Sequence, residues 1–218
     1  VRTYGEYCAV ARTLDVIGQR WALLVVRELL LRGPCRYTDL QSGLPGIATN
    51  LLADRLRELE RAGVVRREAA RPPIATDLFR LTDRGEQLRP VIEELVRWGA
   101  PLMAEIGDQD TFQSHWLLTP AELFLTDTTP DQPPVTVEIR AADQPPVHIE
   151  TVGGAVRGRP GSAEHPDAIL TGPPQLIVGV LFGRLTVAQA RARGLRYHGD
   201  PATLRRLRAQ APTVDRPR

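Results

Sequence analysis

A chain of 218 residues is long enough for two modest domains, and 42% hydrophobic with 25% charged residues excludes a fully disordered or fibrous sequence. The formal net charge of +2 divides evenly, with 16 Arg against 14 acids in 1–107 and 12 against 12 in 108–218, so bulk charge announces no polyanionic partner. Two cysteines, Cys8 and Cys35, are too few for a disulfide scaffold or a cysteine-only zinc site, and no apolar run approaches the roughly 20 residues of a bilayer span. All 28 basic residues are arginine, so any phosphate contact falls to a guanidinium, which binds bidentately. The start, Val1-Arg2-Thr3-Tyr4, shows no basic-then-apolar leader, and a cytoplasmic location with no membrane contact is expected.

Tyr7 to Ile17 spaces Val10, Leu14 and Ile17 along one helical face and stops near Gly18. A second, strongly apolar helix runs from Arg20 to Arg32, with Trp21, Leu24, Val25, Leu29 and Leu30 inward, and ends at Gly33-Pro34. Tyr37 to Leu40 is a short helical stretch, broken by the turn residues Gly43-Leu44-Pro45-Gly46. The run Ile47 to Ala62 then places Leu52, Leu56 and Leu59 on one face and Asn50, Asp54, Arg57 and Arg61 on the other, closing at Gly63. Val64 to Glu68 and Leu78 to Leu81 read as two strands of a hairpin around Arg71-Pro72-Pro73. Thr82 or Asp83 caps a final helix toward Met103 in which Pro90 predicts a kink.

Beyond a polar stretch from Gly107 to His115, Val135 to Arg140 and Val147 to Val152 alternate in the strand period and predict neighbouring antiparallel strands. Ala121 to Thr126 suits either a helix opened by a capping box or a strand, with the strand favoured. Pro173-Pro174 opens an apolar helix through Leu185, Thr186 caps another, and Asp200-Pro201 is an N-cap with proline at the first helical position.

Helix, short helix, tight turn, helix and hairpin is the order of a winged helix-turn-helix, whose third element enters the major groove while the hairpin follows the backbone. Thr49 and Asn50 sit at the start of that helix, where base edges are within reach, with Ala53 and Arg57 on the same outward side. Arg57, Arg66, Arg67 and Arg71 are the candidate phosphate contacts, against the plainer reading that such arginines only solvate a surface.

The segments Cys8-Ala9-Val10-Ala11-Arg12-Thr13-Leu14-Asp15-Val16-Ile17-Gly18, Arg20-Trp21, Leu44-Pro45-Gly46-Ile47, Arg55-Leu56, Leu59-Glu60 and Leu81-Thr82-Asp83-Arg84-Gly85 closely resemble the HxlR-type regulators, relatives of the MarR class. The resemblance covers about residues 5–105. It implies a homodimer on a pseudo-palindromic double-stranded operator, with the first and last helices forming the dimer interface. Ala9 stands where the family commonly has proline, and the loop Ala69 to Asp77 is longer than usual. Some members sense oxidants or electrophiles through the equivalent of Cys8, which makes Cys8 the redox-sensing candidate, against inert packing.

His165 to Pro173, Leu181 to Leu185 and Leu195 to Leu204 resemble the end of a sterol-carrier-protein-like domain, over about residues 117–208. That implies a curved antiparallel sheet covered by helices and a small apolar ligand between them. Leu176, Ile177, Val180 and Leu181 are the candidate lining, although such residues are more often core.

The expected fold is therefore α+β: a winged helix-turn-helix over 1–107, a linker over 108–116, a sterol-carrier-like domain over 117–208 and a tail over 209–218. Four scattered histidines and the lack of a nucleophile elbow, phosphate loop or zinc motif argue against an enzyme, and neither cofactor nor metal is expected. The expected function is a sequence-specific homodimeric regulator, a repressor, modulated by an apolar ligand. The alternative is a redox-sensing regulator acting through Cys8, with the second half as a dimerisation or partner-binding module.

Overall fold

A computed structural model of the chain describes residues 3–70, 76–103 and 110–210, in two compact units, Val1–Ile92 and Glu93–Arg218. Among the described residues no helix is long and apolar enough to cross a membrane.

The first unit opens with α1 (Ala9–Ile17) and α2 (Ala22–Arg32). Trp21 enters α2 in the left-handed region at φ 79, with the Arg20 guanidinium 5.4 Å from its ring centre. Next come α3 (Tyr37–Gly43) and α4 (Thr49–Arg61), followed by the hairpin β1 (Val65–Ala69) and β2 (Asp77–Leu81). Cys35 exchanges two backbone hydrogen bonds with Phe79, of 2.9 and 2.8 Å, and so ties the hairpin to the loop after α2. No sequence pattern marks this one-residue third strand. Val25, Val26 and Leu29 of α2, Leu40 of α3, Leu52, Leu56 and Leu59 of α4, and Phe79 and Leu81 of β2 form one buried cluster.

Three details depart from expectation, the first being Leu24 of α2, expected inward but 38% exposed. Of the α1 stripe only Ile17 is buried, while Val10 and Leu14 stand in solvent. Pro90 does not kink a continuous helix. The chain instead forms a single turn, α5 (Asp83–Glu86), and restarts as α6 (Arg89–Gly99), leaving Pro90 in the first turn of α6, where its missing N–H costs nothing. Thr82 caps α5 by accepting from Gly85 N at 3.1 Å, and its hydroxyl donates to Gly63 O at 2.6 Å. A side chain on Gly85 would collide with Val64 O, so glycine permits this close approach.

In the second unit, beyond the end of α6, α7 (Leu118–Phe124) runs directly into β3 (Leu125–Asp127), so the segment expected as strand is mostly helix. β4 (Thr136–Ala141), β5 (Val147–Val152), β6 (Ala155–Pro160) and β7 (Ala168–Gly172) follow, then α8 (Pro174–Leu181) and α9 (Val187–Arg191). The unit ends with β8 (Arg196–Gly199), α10 (Pro201–Arg206) and β9 (Leu207–Ala209).

These strands form one seven-stranded sheet in the order β8-β7-β4-β5-β6-β3-β9. β4 and β5 are antiparallel neighbours, as their alternation predicts, but β4 and β7 run parallel, so the sheet is mixed where an antiparallel one was expected. The parallel pair follows from the route of the chain: β5 and β6 intervene, and β7 returns on the free side of β4. One face carries Val137, Ile139, Val147, Ile149, Ala168 and Leu170, all buried. Leu118 of α7 rests on Gly158 on this side, and α8 packs against β4 and β7.

Arg206 of α10 clasps Asp127 of β3 through two hydrogen bonds, Nη2 to Oδ2 at 2.7 Å and Nε to Oδ1 at 3.1 Å. The Arg206 hydrogen bonds lead in holding the Asp127 carboxyl down at about 2, well below its usual range. A depressed carboxyl stabilises the fold fully above its unfolded value of about 3.9, and the contribution is lost as pH falls through the folded value. Thermal melts of the wild type should therefore lose a component of stability below about pH 4 that Asp127→Asn lacks, the variant being less stable than wild type at neutral pH. Identical acid profiles for the two proteins would count against this role.

Candidate nucleic-acid interface

The segment from α2 to β2 builds a surface around α4. α3 and α4 are joined by a turn in which Pro45 is followed by Gly46 at φ 83, and Ile47 N donates to Leu44 O at 3.1 Å. Pro then Gly at the two central positions is the chemistry of a type II turn, and it sends Leu44 and Ile47 into the core on either side. α4 is thereby fixed with Leu52, Leu56 and Leu59 buried and the opposite side open.

Thr49, Asn50 and Arg57 are exposed on that open side, and Ala53 is half-buried between them. α3 holds the start of α4: Tyr37 OH donates to Thr49 O at 2.5 Å, and Gln41 Nε2 donates to the Thr49 hydroxyl at 2.8 Å. Neither Tyr37 nor Gln41 was singled out in the sequence, where nothing marks a side chain as a clamp. Ala48 precedes α4 without a capping side chain, so the positive end of the helix dipole faces outward at Thr49 and Asn50. Arg57 pairs with Asp54 at 2.6 Å, but both groups are more than half exposed, where an ion pair is worth about 0–1 kcal/mol and yields readily to a phosphate.

The hairpin sorts its arginines by face. Arg66 lies opposite Arg80, and both reach Glu68 between them, at 3.7 and 3.0 Å. Arg80, which no sequence pattern marks, thus shares the outward face with Arg66. Arg67 is on the other face: its guanidinium lies 5.0 Å from the Phe79 ring centre and pairs with Glu60 of α4 at 3.5 Å and Asp77 at 3.6 Å. Its observed partners are internal and brace the hairpin against α4. Arg71 lies outside the described residues.

Behind this surface sits a fully buried carboxylate. Glu28 of α2 accepts from Arg27 Nη2 at 2.8 Å and Nε at 3.1 Å, and Arg32 Nη1 lies 3.9 Å away while donating to Asp39 O at 2.8 Å. The carboxylate packs against Gly43, the last residue of α3, where a built Cβ would lie 2.9 Å from Glu28 Cδ and closer still to Oε2. A charge taken from water demands such partners, and together they lock α2 to the entrance of the turn.

The cysteines differ in kind. Cys8 is exposed at the N-cap of α1, whereas Cys35 is buried. Burial is the chief cause that pushes the Cys35 thiol up to about 11, so it stays protonated and unreactive at neutral pH. In the second unit Leu176, Ile177 and Leu181 are buried and Val180 is half-buried on α8.

The HxlR-like helix-turn-helix family matches residues 16–106. The HTH-type transcriptional regulator YvaP of Bacillus subtilis is 33% identical over 87 residues, covering 40% of this chain and 80% of YvaP. The chain belongs to the HxlR-like helix-turn-helix family. Two further HTH-type transcriptional regulators from the same organism are similar: YkvN, 36% identical over 92 residues, covering 42% of this chain and 77% of its own length, and YodB, 32% identical over 94 residues, covering 43% and 82%. By that membership this is a transcriptional regulator of HxlR type, and residues 107–218 lie beyond the HxlR-like match.

Gly43→Ala should destabilise the first unit by about 1–3 kcal/mol in denaturant unfolding, since the buried Glu28 carboxylate, with the Arg32 guanidinium beside it, must shift to admit the added Cβ. An unchanged midpoint would mean that α3 shifts freely.

Proposed function

We propose that the chain is a homodimeric repressor that reads a double-stranded operator with α4 in the major groove. The observation that carries this reading is the one-sided burial of α4, which leaves Thr49, Asn50 and Arg57 open at an uncapped helix start. Thr49, Asn50 and Ala53 are assigned to base edges, and Arg57 and Arg66 to phosphates, joined by Arg80. Arg67 and Arg71 complete the set, Arg67 by exchanging its internal partners.

A second copy accounts for apolar side chains left in water. On and before α1, Tyr7, Val10 and Leu14 form an exposed stripe at helical spacing, with Val10 66% exposed. Along α6 and the turn after it, Val91, Leu95, Trp98 and Leu102 form another, with Trp98 76% and Leu102 72% exposed. Contiguous exposed side chains of this size mark an interaction surface. Both stripes are assigned to the dimer interface.

The second unit is assigned to effector binding: α8 carries no charged residue, and an apolar molecule is assigned to the α8 side of the sheet, at Leu176, Ile177, Val180 and Leu181. An effector that binds one spacing of the two recognition helices better than another shifts operator affinity by that difference. A second reading rests on the exposure of Cys8 at the start of α1, within the apolar stripe assigned to the dimer: its oxidation would act on the subunit interface directly.

In anisotropy titrations on promoter fragments, Arg57→Ala should weaken binding and lower the salt slope by about 0.9 per subunit, while Asn50→Ala should cost about 1–3 kcal/mol on the preferred site and relax specificity. Unaltered binding by both variants would refute the placement of α4. Trp98→Glu should convert the dimer to a monomer in sedimentation, and a dimer that survives the charge would remove α6 from the interface. Native mass spectrometry of the purified protein should show a co-purified apolar mass, whereas an empty dimer whose operator affinity falls on oxidation, and not in Cys8→Ser, would favour the thiol.

A further inference from the structure

The helices of the second unit cover one face of its sheet, and the register shows what the other face carries. Arg157 and Arg159 are two residues apart on β6 and therefore point the same way, about 7 Å apart along the strand. Pairing extends their face outward on both sides. Arg157 lies opposite Glu150 and Arg159 opposite His148, and His148 lies opposite Glu138. Arg140 lies opposite Thr171, which lies opposite Arg196. On the far side Thr126 lies opposite both Ala155 and Arg208.

Five exposed arginines thus share one sheet face, covered at Glu138 by the segment around Ala163, although residues 108–218 carry 12 Arg against 12 acids overall. Of the carboxylates nearby, Glu138 and Asp167 are engaged. Glu138 is buried, paired with Arg140 at 2.6 Å and accepting from Ala163 N at 2.9 Å. Asp167 accepts from Thr136 N at 2.7 Å, and Glu150 is half-buried. Among the described residues Arg157, Arg159, Arg196 and Arg208 have no ion-pair partner, and Arg208, Arg157 and Arg159 step diagonally across the β9 edge.

We propose that this face is a second DNA-binding surface, on which Arg208, Arg157 and Arg159 hold the phosphates of a duplex without reading bases. Spaced, unpaired guanidiniums on an exposed face complement a linear polyanion. An anionic membrane fits less well, because Val152 is the one large apolar side chain described as exposed on this face, and peripheral membrane binding needs apolar insertion as well as charge. The inference takes from the proposed function only that duplex DNA is the polyanion this chain meets.

The test uses the full chain and a duplex of repeating adenine–thymine steps, titrated by anisotropy over a salt series. Arg157→Gln, Arg159→Gln and Arg208→Gln combined should lower the log–log salt slope by about 2.7 per subunit, while the same three positions as lysine should keep it. The loss should also appear when Asn50→Ala and Arg57→Ala are already present. A wild-type slope in the glutamine variant overturns the proposal, as does a slope lost equally in the lysine variant. So does binding that proves sensitive to the three positions only on phosphatidylserine-containing vesicles. Duplex binding that ignores Asn50 and Arg57 on every fragment, yet responds to the three sheet arginines, would sink the α4 reading and leave this one standing.

Discussion

α4 has to be wet on one side and dry on the other, and everything around it in the first unit serves that division. Leu52, Leu56 and Leu59 are drawn into the cluster with Val25, Val26 and Leu29, a burial that fixes the rotation of the helix about its own axis. Once that rotation is set, Thr49, Asn50, Ala53 and Arg57 have only the outside left. The turn at Pro45-Gly46 fixes where the helix begins, and Tyr37 and Gln41 fix its first residue from α3. The function proposed for this surface is a by-product of packing on the opposite side.

The supports are polar as well as apolar. Glu28 brings a charge into the core, where Arg27 and Arg32 bracket it along the same helix. A carboxylate against Gly43 is directional in a way that a leucine would not be, and it defines the end of α3 where the turn starts. At the other end of α4, Thr82 joins Gly63 and Gly85 in one small knot, so helix, hairpin and the next turn share an anchor. The hairpin has a second anchor where the Cys35 backbone pairs with that of Phe79, while the Cys35 side chain is buried in the core.

Much of this was legible in the sequence because it depends on local chemistry. The period of Leu52, Leu56 and Leu59, the Pro45-Gly46 corner, and the caps at Thr82, Thr186 and Asp200 all act within a few residues of themselves. Pairings between distant residues were not legible. Glu28 looks like one more surface acid until Gly43 is brought against it, and Cys35 looks like a loop residue until Phe79 arrives. Pro90 was misjudged for a local reason: a proline that would kink a long helix also starts a new one equally well. In the second unit the strand period identified β4 and β5 but carried no information on direction, so the parallel β7 stayed hidden. Arg67 and Arg80 show the same limit at the site, since only the hairpin register assigns one inward to Phe79 and the other outward beside Arg66.

The proposed function divides the labour: one side of a helix for base edges, one side of a sheet for charge, and the apolar α8 for a signal. The central claim is that two copies of α4 read one duplex. Selection from a random DNA pool by the intact protein, followed by hydroxyl-radical footprinting of the enriched sequence, tests it most directly. The account predicts an inverted repeat with two protected half-sites about one helical turn, roughly 10 base pairs, apart on one face of the duplex. A pool that never converges, or a single unpaired footprint, would contradict it.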